Sequence, residues 1–113
     1  MDDPVERSSL IKSLGAFLAL LHERGVYFRS LHLGNVLIME HGQFGLIDVA
    51  DMRLFPSPLR LALRRRNQRH MRRYTEDRNW LFSEHLNDLL AGYVSLAGAN
   101  ALKAFTPQAM NPT

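Results

Sequence analysis

The strongest constraint on this chain is one apolar stripe near its start. In DDPVERSSLIKSLGAFLALLHERG, Leu10, Leu14, Phe17, Leu18 and Leu21 recur at intervals of three and four, the spacing that gathers side chains on one face of an α-helix. Local signals set its ends: Asp3 is a natural N-cap, Pro4 takes the first helical position, Glu6 lies three residues after the cap, and Gly25 can accept the left-handed conformation that stops a helix. A helix is therefore expected within residues 1–25, and its stripe has to be buried. With 113 residues the chain is sized for one domain, and it should hide somewhat more than ~60% of its unfolded surface.

The patterning changes after Gly25. VYF is short and β-favouring, and the apolar runs NVLIM and FGLIDV flank EHGQ, where Gly42 tolerates positive φ; together they predict a β-hairpin within residues 26–54. Pro56 and Pro58 make MRLFPSP an extended connection. Residues 59–74 have helical character, but arginines fall all around the wheel and leave no clean apolar face. Residues 78–98 place Trp80, Leu81, Leu86, Leu89, Leu90 and Tyr93 at helical spacing, which predicts a helix with those residues in the core, and 105–113 form a tail. The fold class expected is α+β, mainly helical, with one small hairpin, in a single domain over 1–113.

Several chemistries drop out. The absence of cysteine removes disulfides, thiolate metal sites and a cysteine nucleophile, and fits a reducing compartment. None of the five histidines has the H-x-x-x-H spacing of a zinc helix, and there is no G-x-S-x-G elbow. No apolar run reaches the ~18 residues of a membrane span and MDDPVERSSL is acidic where a signal peptide is basic, so a cytoplasmic location is expected.

What remains is a polar loop next to the hairpin. The catalytic loop of kinases reads H-R-D-L-x-x-x-N, followed downstream by D-F-G. Phe28 to Asn35 reads F-R-S-L-H-L-G-N: arginine, leucine and asparagine agree, while histidine and aspartate do not. Asp48, at the end of FGLIDV, stands in the place of the D-F-G aspartate, with Val49 and Ala50 after it. A side-chain carbonyl and a carboxylate one hairpin apart are hard oxygen ligands suited to Mg²⁺ held against nucleotide phosphates.

On these residues the stretch LHERGVYFRSLHLGNVLI…GLIDVADMRL resembles the bacterial lipopolysaccharide kinases that act on Kdo and heptose sugars, and is similar to Pseudomonas-type kinase-like proteins labelled for toluene tolerance. The resemblance covers about Leu18 to Leu54. It implies a protein-kinase-like C-terminal lobe, ATP and Mg²⁺ as cofactors, and transfer to a hydroxyl of a lipid-linked core sugar. Asn35 and Asp48 then match the nucleotide and metal ligands, Asp51 is an auxiliary ligand or base, and Arg29 braces the loop. Ser30 occupies the place of the catalytic aspartate, and His32 is the nearby surrogate base. No glycine-rich phosphate loop or strand lysine accompanies them: Lys12 and Lys103 are the two lysines. The expectation is a lobe whose N-terminal partner lies in cis or on another chain, and which is inactive in isolation.

Each of these residues has a plainer reading. Ser30 can bond nearby backbone, His32 can serve as a structural hydrogen-bonder, Asn35 can cap a turn, and Asp51 can pair with Arg53. The basic segment holds Arg60, Arg64, Arg65, Arg66, Arg69, Arg72 and Arg73, 7 of the 14 basic residues. Arg64, Arg65, Arg66, Arg69, Arg72 and Arg73 are candidates to bind a phosphorylated lipid-sugar head group or the anionic inner-membrane surface, which would make the protein peripheral there. Nucleic acid is the rival partner and a solvated helix face the plainest alternative. Three functions stay open: a lipopolysaccharide-sugar kinase lobe, a pseudokinase scaffold, and a basic nucleic-acid-binding module.

Overall fold

A computed structural model describes residues 4–40 and 43–104. Asp3, the Gly42 turn and the 105–113 tail lie outside the described residues. The architecture is α+β. Helix α1 (Pro4–Glu23) leads into strand β1 (Val26–Phe28), then β2 (Val36–Ile38), β3 (Phe44–Leu46), β4 (Met52–Leu54), helix α2 (Leu61–Met71), a π-helical segment (Asp77–Glu84), helix α3 (Leu86–Ala97) and a final 3₁₀ turn (Ala99–Ala104). Among the described residues no helix is long and apolar enough to cross a membrane.

Helix α1 buries Ile11, Leu14, Leu18 and Ala19, with Phe17 and Leu21 packed at the edge of the core and Leu10 half-exposed. The stripe is thus rotated slightly from the expected one, toward Ile11 and His22. The reason is α3, which crosses at backbone distance: a Cβ on Gly92 would lie 1.8 Å from the Lys12 carbonyl oxygen, and one on Gly15 2.2 Å from that of Leu89. Two glycines on facing helices let the backbones approach this closely. Ser8 adds a polar tie, donating to Asp88 Oδ1 at 2.8 Å.

Among the described residues there are two antiparallel pairs. The hairpin aligns Val36 with Leu46 and Ile38 with Phe44. The second pair joins β1 to β4, with Val26 opposite Leu54 and Phe28 opposite Met52. The MRL part of the expected extended connection is therefore a strand, given a partner by VYF. Gly25 secures this pairing: at φ 77° it turns the chain out of α1, its carbonyl accepts from the Phe55 N–H at 2.8 Å, and a Cβ there would meet the Phe55 oxygen at 2.3 Å.

The single helix expected over 78–98 is two elements. The first has the wide π register, with the His85 N–H bonded to the Trp80 carbonyl at 2.9 Å, and the break falls at His85, whose backbone (φ −112°, ψ 21°) leaves the helical region before α3 begins. Leu81, Leu89 and Tyr93 are buried as expected and Phe82 joins them, while Trp80, Leu86 and Leu90, also expected in the core, pack at its margin.

Candidate functional site

The loop between β1 and β2 is held by the atoms that flank it. Leu31 N–H returns to the Phe28 carbonyl at 3.1 Å, and residues Leu33–Asn35 form a 3₁₀ turn capped by His32, whose Nδ1 accepts from the Gly34 N–H at 3.0 Å. The His32 ring stacks on Tyr74, centroids 4.0 Å apart and planes 17° apart. Both features make His32 a structural element of the turn: its Nδ1 lone pair is already used.

Asp77 supplies the main anchor. It arrives from the π-helical segment, 1% exposed, and both carboxylate oxygens accept from the Leu33 N–H, at 3.1 and 3.2 Å. Burial pushes its pKa up to about 6, against the opposing pull of the Leu33 hydrogen bond. Nothing local in the sequence marks Asp77, since an acidic residue just before a helix looks like an ordinary first-turn carboxylate.

Asn35 is buried, and its Nδ2 donates to the Ser30 carbonyl at 3.1 Å, which ties the two ends of the loop together. Its Oδ1 takes no hydrogen bond among the described residues. The Asn35 backbone carbonyl accepts from the Ile47 N–H at 3.0 Å, so the residue before Asp48 is fastened to the residue expected to work with it. Asp48 is exposed and has φ 56°, alone among the described non-glycine residues in positive φ. Aspartate tolerates that region better than most residues, but the conformation is still sparsely populated and tends to mark positions where a side chain is aimed for a purpose. Ser30 donates its hydroxyl to Asp51 Oδ2. The carboxylate that the loop lacks at position 30 is thus brought beside it from the approach to β4, and the alternative pairing of Asp51 with Arg53 is not formed.

The arginine-rich segment divides by face. Arg64 is buried: its Nε donates to the Leu59 carbonyl at 2.7 Å, Nη2 to Glu23 at 2.7 Å and Nη1 to the Tyr93 hydroxyl at 3.4 Å. Arg72 lies over the Phe82 ring, 4.9 Å from its centroid, and Arg65 donates to the Lys103 carbonyl at 2.8 Å. These three hold the fold. Arg66, Arg69 and Arg73 instead line a cleft, joined there by Arg29 and Arg53. Arg29, expected to brace the loop, makes no hydrogen bond to it among the described residues.

A buried polar chain with no periodic signal in the sequence reaches the Phe28 carbonyl at the end of β1, where the loop begins. Asn67 donates from Nδ2 to the Phe28 carbonyl at 2.7 Å, which turns its Oδ1 toward His22 Nε2, 3.0 Å away. His22 therefore carries its proton on Nε2, and Nδ1 accepts from the Tyr93 hydroxyl at 2.6 Å. Burial first, and then Arg64 nearby, lowers the His22 pKa to about 4; burial raises that of Tyr93 to about 12. Both are neutral near pH 7, and with Asn67 and the Phe28 carbonyl they join α1, α2, α3 and β1.

Among the described residues no group of three or more histidine, cysteine, aspartate or glutamate side chains could hold a metal ion. By the chemistry of their donors alone, the unbonded Asn35 amide oxygen and the exposed Asp48 carboxylate are hard ligands of the kind Mg²⁺ takes, and Mg²⁺ commonly draws few ligands from protein and the rest from water and phosphate. Compared with family models, curated proteins and solved structures, the chain matches none of them.

Proposed function

We propose that the chain is the C-terminal lobe of a protein-kinase-like phosphotransferase acting on a lipid-linked lipopolysaccharide core sugar, with the hairpin bearing Asp48 as its metal arm. The observation that carries this reading is the coupling of Asn35 to the foot of β3: a fixed loop, an unbonded amide oxygen, and an aspartate in strained backbone one residue beyond the Ile47 hydrogen bond. Asn35 and Asp48 would hold Mg²⁺, which when bound offsets the charge of ATP phosphates. The chain's own work is positioning. Asp77 keeps the loop in place, and Asp51, with Ser30 donating to it, is the carboxylate able to take the proton of an attacking hydroxyl.

An N-terminal lobe in cis or on another chain belongs to this reading. Leu37, Ile38, Met39, Ile47 and Val49 on and beside the hairpin are 39–61% exposed, an apolar surface suited to a covering partner. The inner-membrane surface, where a lipid-linked acceptor resides, is the place of action in this proposal.

The test is a Mn²⁺ titration of the full chain followed by amide NMR, which detects weak divalent binding through paramagnetic broadening. Broadening is expected at Asn35 and at residues 47–50, and should disappear in Asp48→Asn while persisting in Ser30→Ala. Broadening elsewhere, or none, rejects the metal pair and leaves the scaffold reading in its place.

A further inference from the structure

The five cleft arginines come from three separate elements. Arg29 follows β1, Arg53 lies on β4 opposite Tyr27, and Arg66, Arg69 and His70 occupy one face of α2, with Arg73 continuing that spacing just past its end. The space they surround is about 790 Å³, the size of a small-ligand site. None of the five guanidiniums has a hydrogen-bond or ion-pair partner among the described residues. Their convergence shows in the neighbours: His70 is lowered first by burial and then by Arg73, Arg29, Arg66 and Arg69, and Tyr27, raised by burial, is pulled back by Arg66, Arg29, Arg69 and Arg53. Unpaired like charges gathered around a concavity repel one another, and a bound anion relieves that repulsion.

Charge and shape narrow the anion. Asp51 is the acidic residue in the lining, so five arginines against it leave the cleft at +4. One phosphate monoester carries about −1.5 to −2, so two are needed to match. Guanidinium forks bind phosphate oxygens in pairs, whereas the Tyr27 ring and Met52 provide surface for an uncharged frame. We infer that this cleft binds a ligand carrying two phosphate groups on a sugar-sized frame, free or as a lipid head group, with one end directed to Asp51. The identification of this ligand as the acceptor rests on the phosphotransferase reading; the anion site itself does not.

The experiment is calorimetry of the full chain without ATP or divalent ions, so its failure and that of the Mn²⁺ test are separate. The probes are fructose 1,6-bisphosphate, inorganic phosphate, and phosphatidylcholine vesicles with and without phosphatidic acid. The bisphosphate should bind at least about tenfold tighter than phosphate, and Arg66→Ser with Arg69→Ser should weaken it about a hundredfold, at roughly tenfold per charge-assisted contact. Arg60→Ser, an exposed arginine outside the cleft, serves as control and should leave binding unchanged. Acidic vesicles binding more tightly than the bisphosphate, with the same loss in the double variant, would assign the site to a lipid head group. Bisphosphate and phosphate binding alike, or equal loss in the Arg60→Ser control, overturns the assignment.

Discussion

Lowering the pH should act on this fold through two buried groups of opposite sign. His22 sits at about 4, below its ordinary 6.5, so between those values the unfolded chain binds a proton that the folded chain does not. Its contribution is full above pH 6.5 and is lost as pH falls through 4; a gap of about 2.5 units at 1.36 kcal/mol each makes about 3 kcal/mol. Asp77 is raised from 3.8 to about 6, so there the folded chain binds the extra proton; its contribution is full below 3.8 and lost as pH rises through 6. Over pH 4–6 the two slopes oppose each other, and the wild-type chain should show less acid sensitivity than either group implies. Asp77→Asn, which keeps an oxygen for the Leu33 N–H, removes one side of the balance. Urea unfolding at a series of pH values should then show stability falling toward acid more steeply than in wild type, by up to about 1.4 kcal/mol per unit between pH 6 and 4. Adding His22→Gln should flatten the curve again. Parallel curves for wild type and Asp77→Asn would refute the opposing pair, and a steep curve surviving His22→Gln would refute the role of His22.

Gly92→Ala should destabilise the chain by more than about 4 kcal/mol in chemical denaturation, because the new methyl meets the Lys12 carbonyl, whereas the same change in an unhindered helix gains about 0.5–1 kcal/mol; a stabilised variant would disprove the close crossing of α1 and α3. Asp77→Ala should lower the exchange protection of the Leu33 amide by about tenfold or more with little change in α1, and unchanged protection would show that the loop is held some other way.

How much of this was legible varies by element. The hairpin strands showed as paired apolar runs, and α1 showed through periodicity and end signals that act over a few residues. Strand β1 showed as a β-favouring triplet without a visible partner and β4 lay in a stretch expected to be an extended connection; they pair only by finding each other across the intervening loop and hairpin. Helix α2 concealed its inward side because that side is polar: Arg64, Asn67 and Gln68 are buried, so hydrophobic patterning points the wrong way. Of the site, Asn35, Asp48 and Asp51 stood out by spacing. Asp77 and Arg53 did not, since their importance lies in what they reach across the fold.

Residue order alone determined the long first helix, the pair of runs that fold back on one another, and the set of oxygen and guanidinium groups available for chemistry. These follow from dihedral preference and short-range periodicity, which every chain carries locally. Which arginines face inward as struts and which open onto a shared cleft, which histidine is sealed neutral, and which carboxylate stands beside Ser30 were decided only by tertiary structure. Those outcomes depend on burial and on distances between segments far apart in the chain, and a polar side chain has no fixed role until its surroundings set how much charge it can keep.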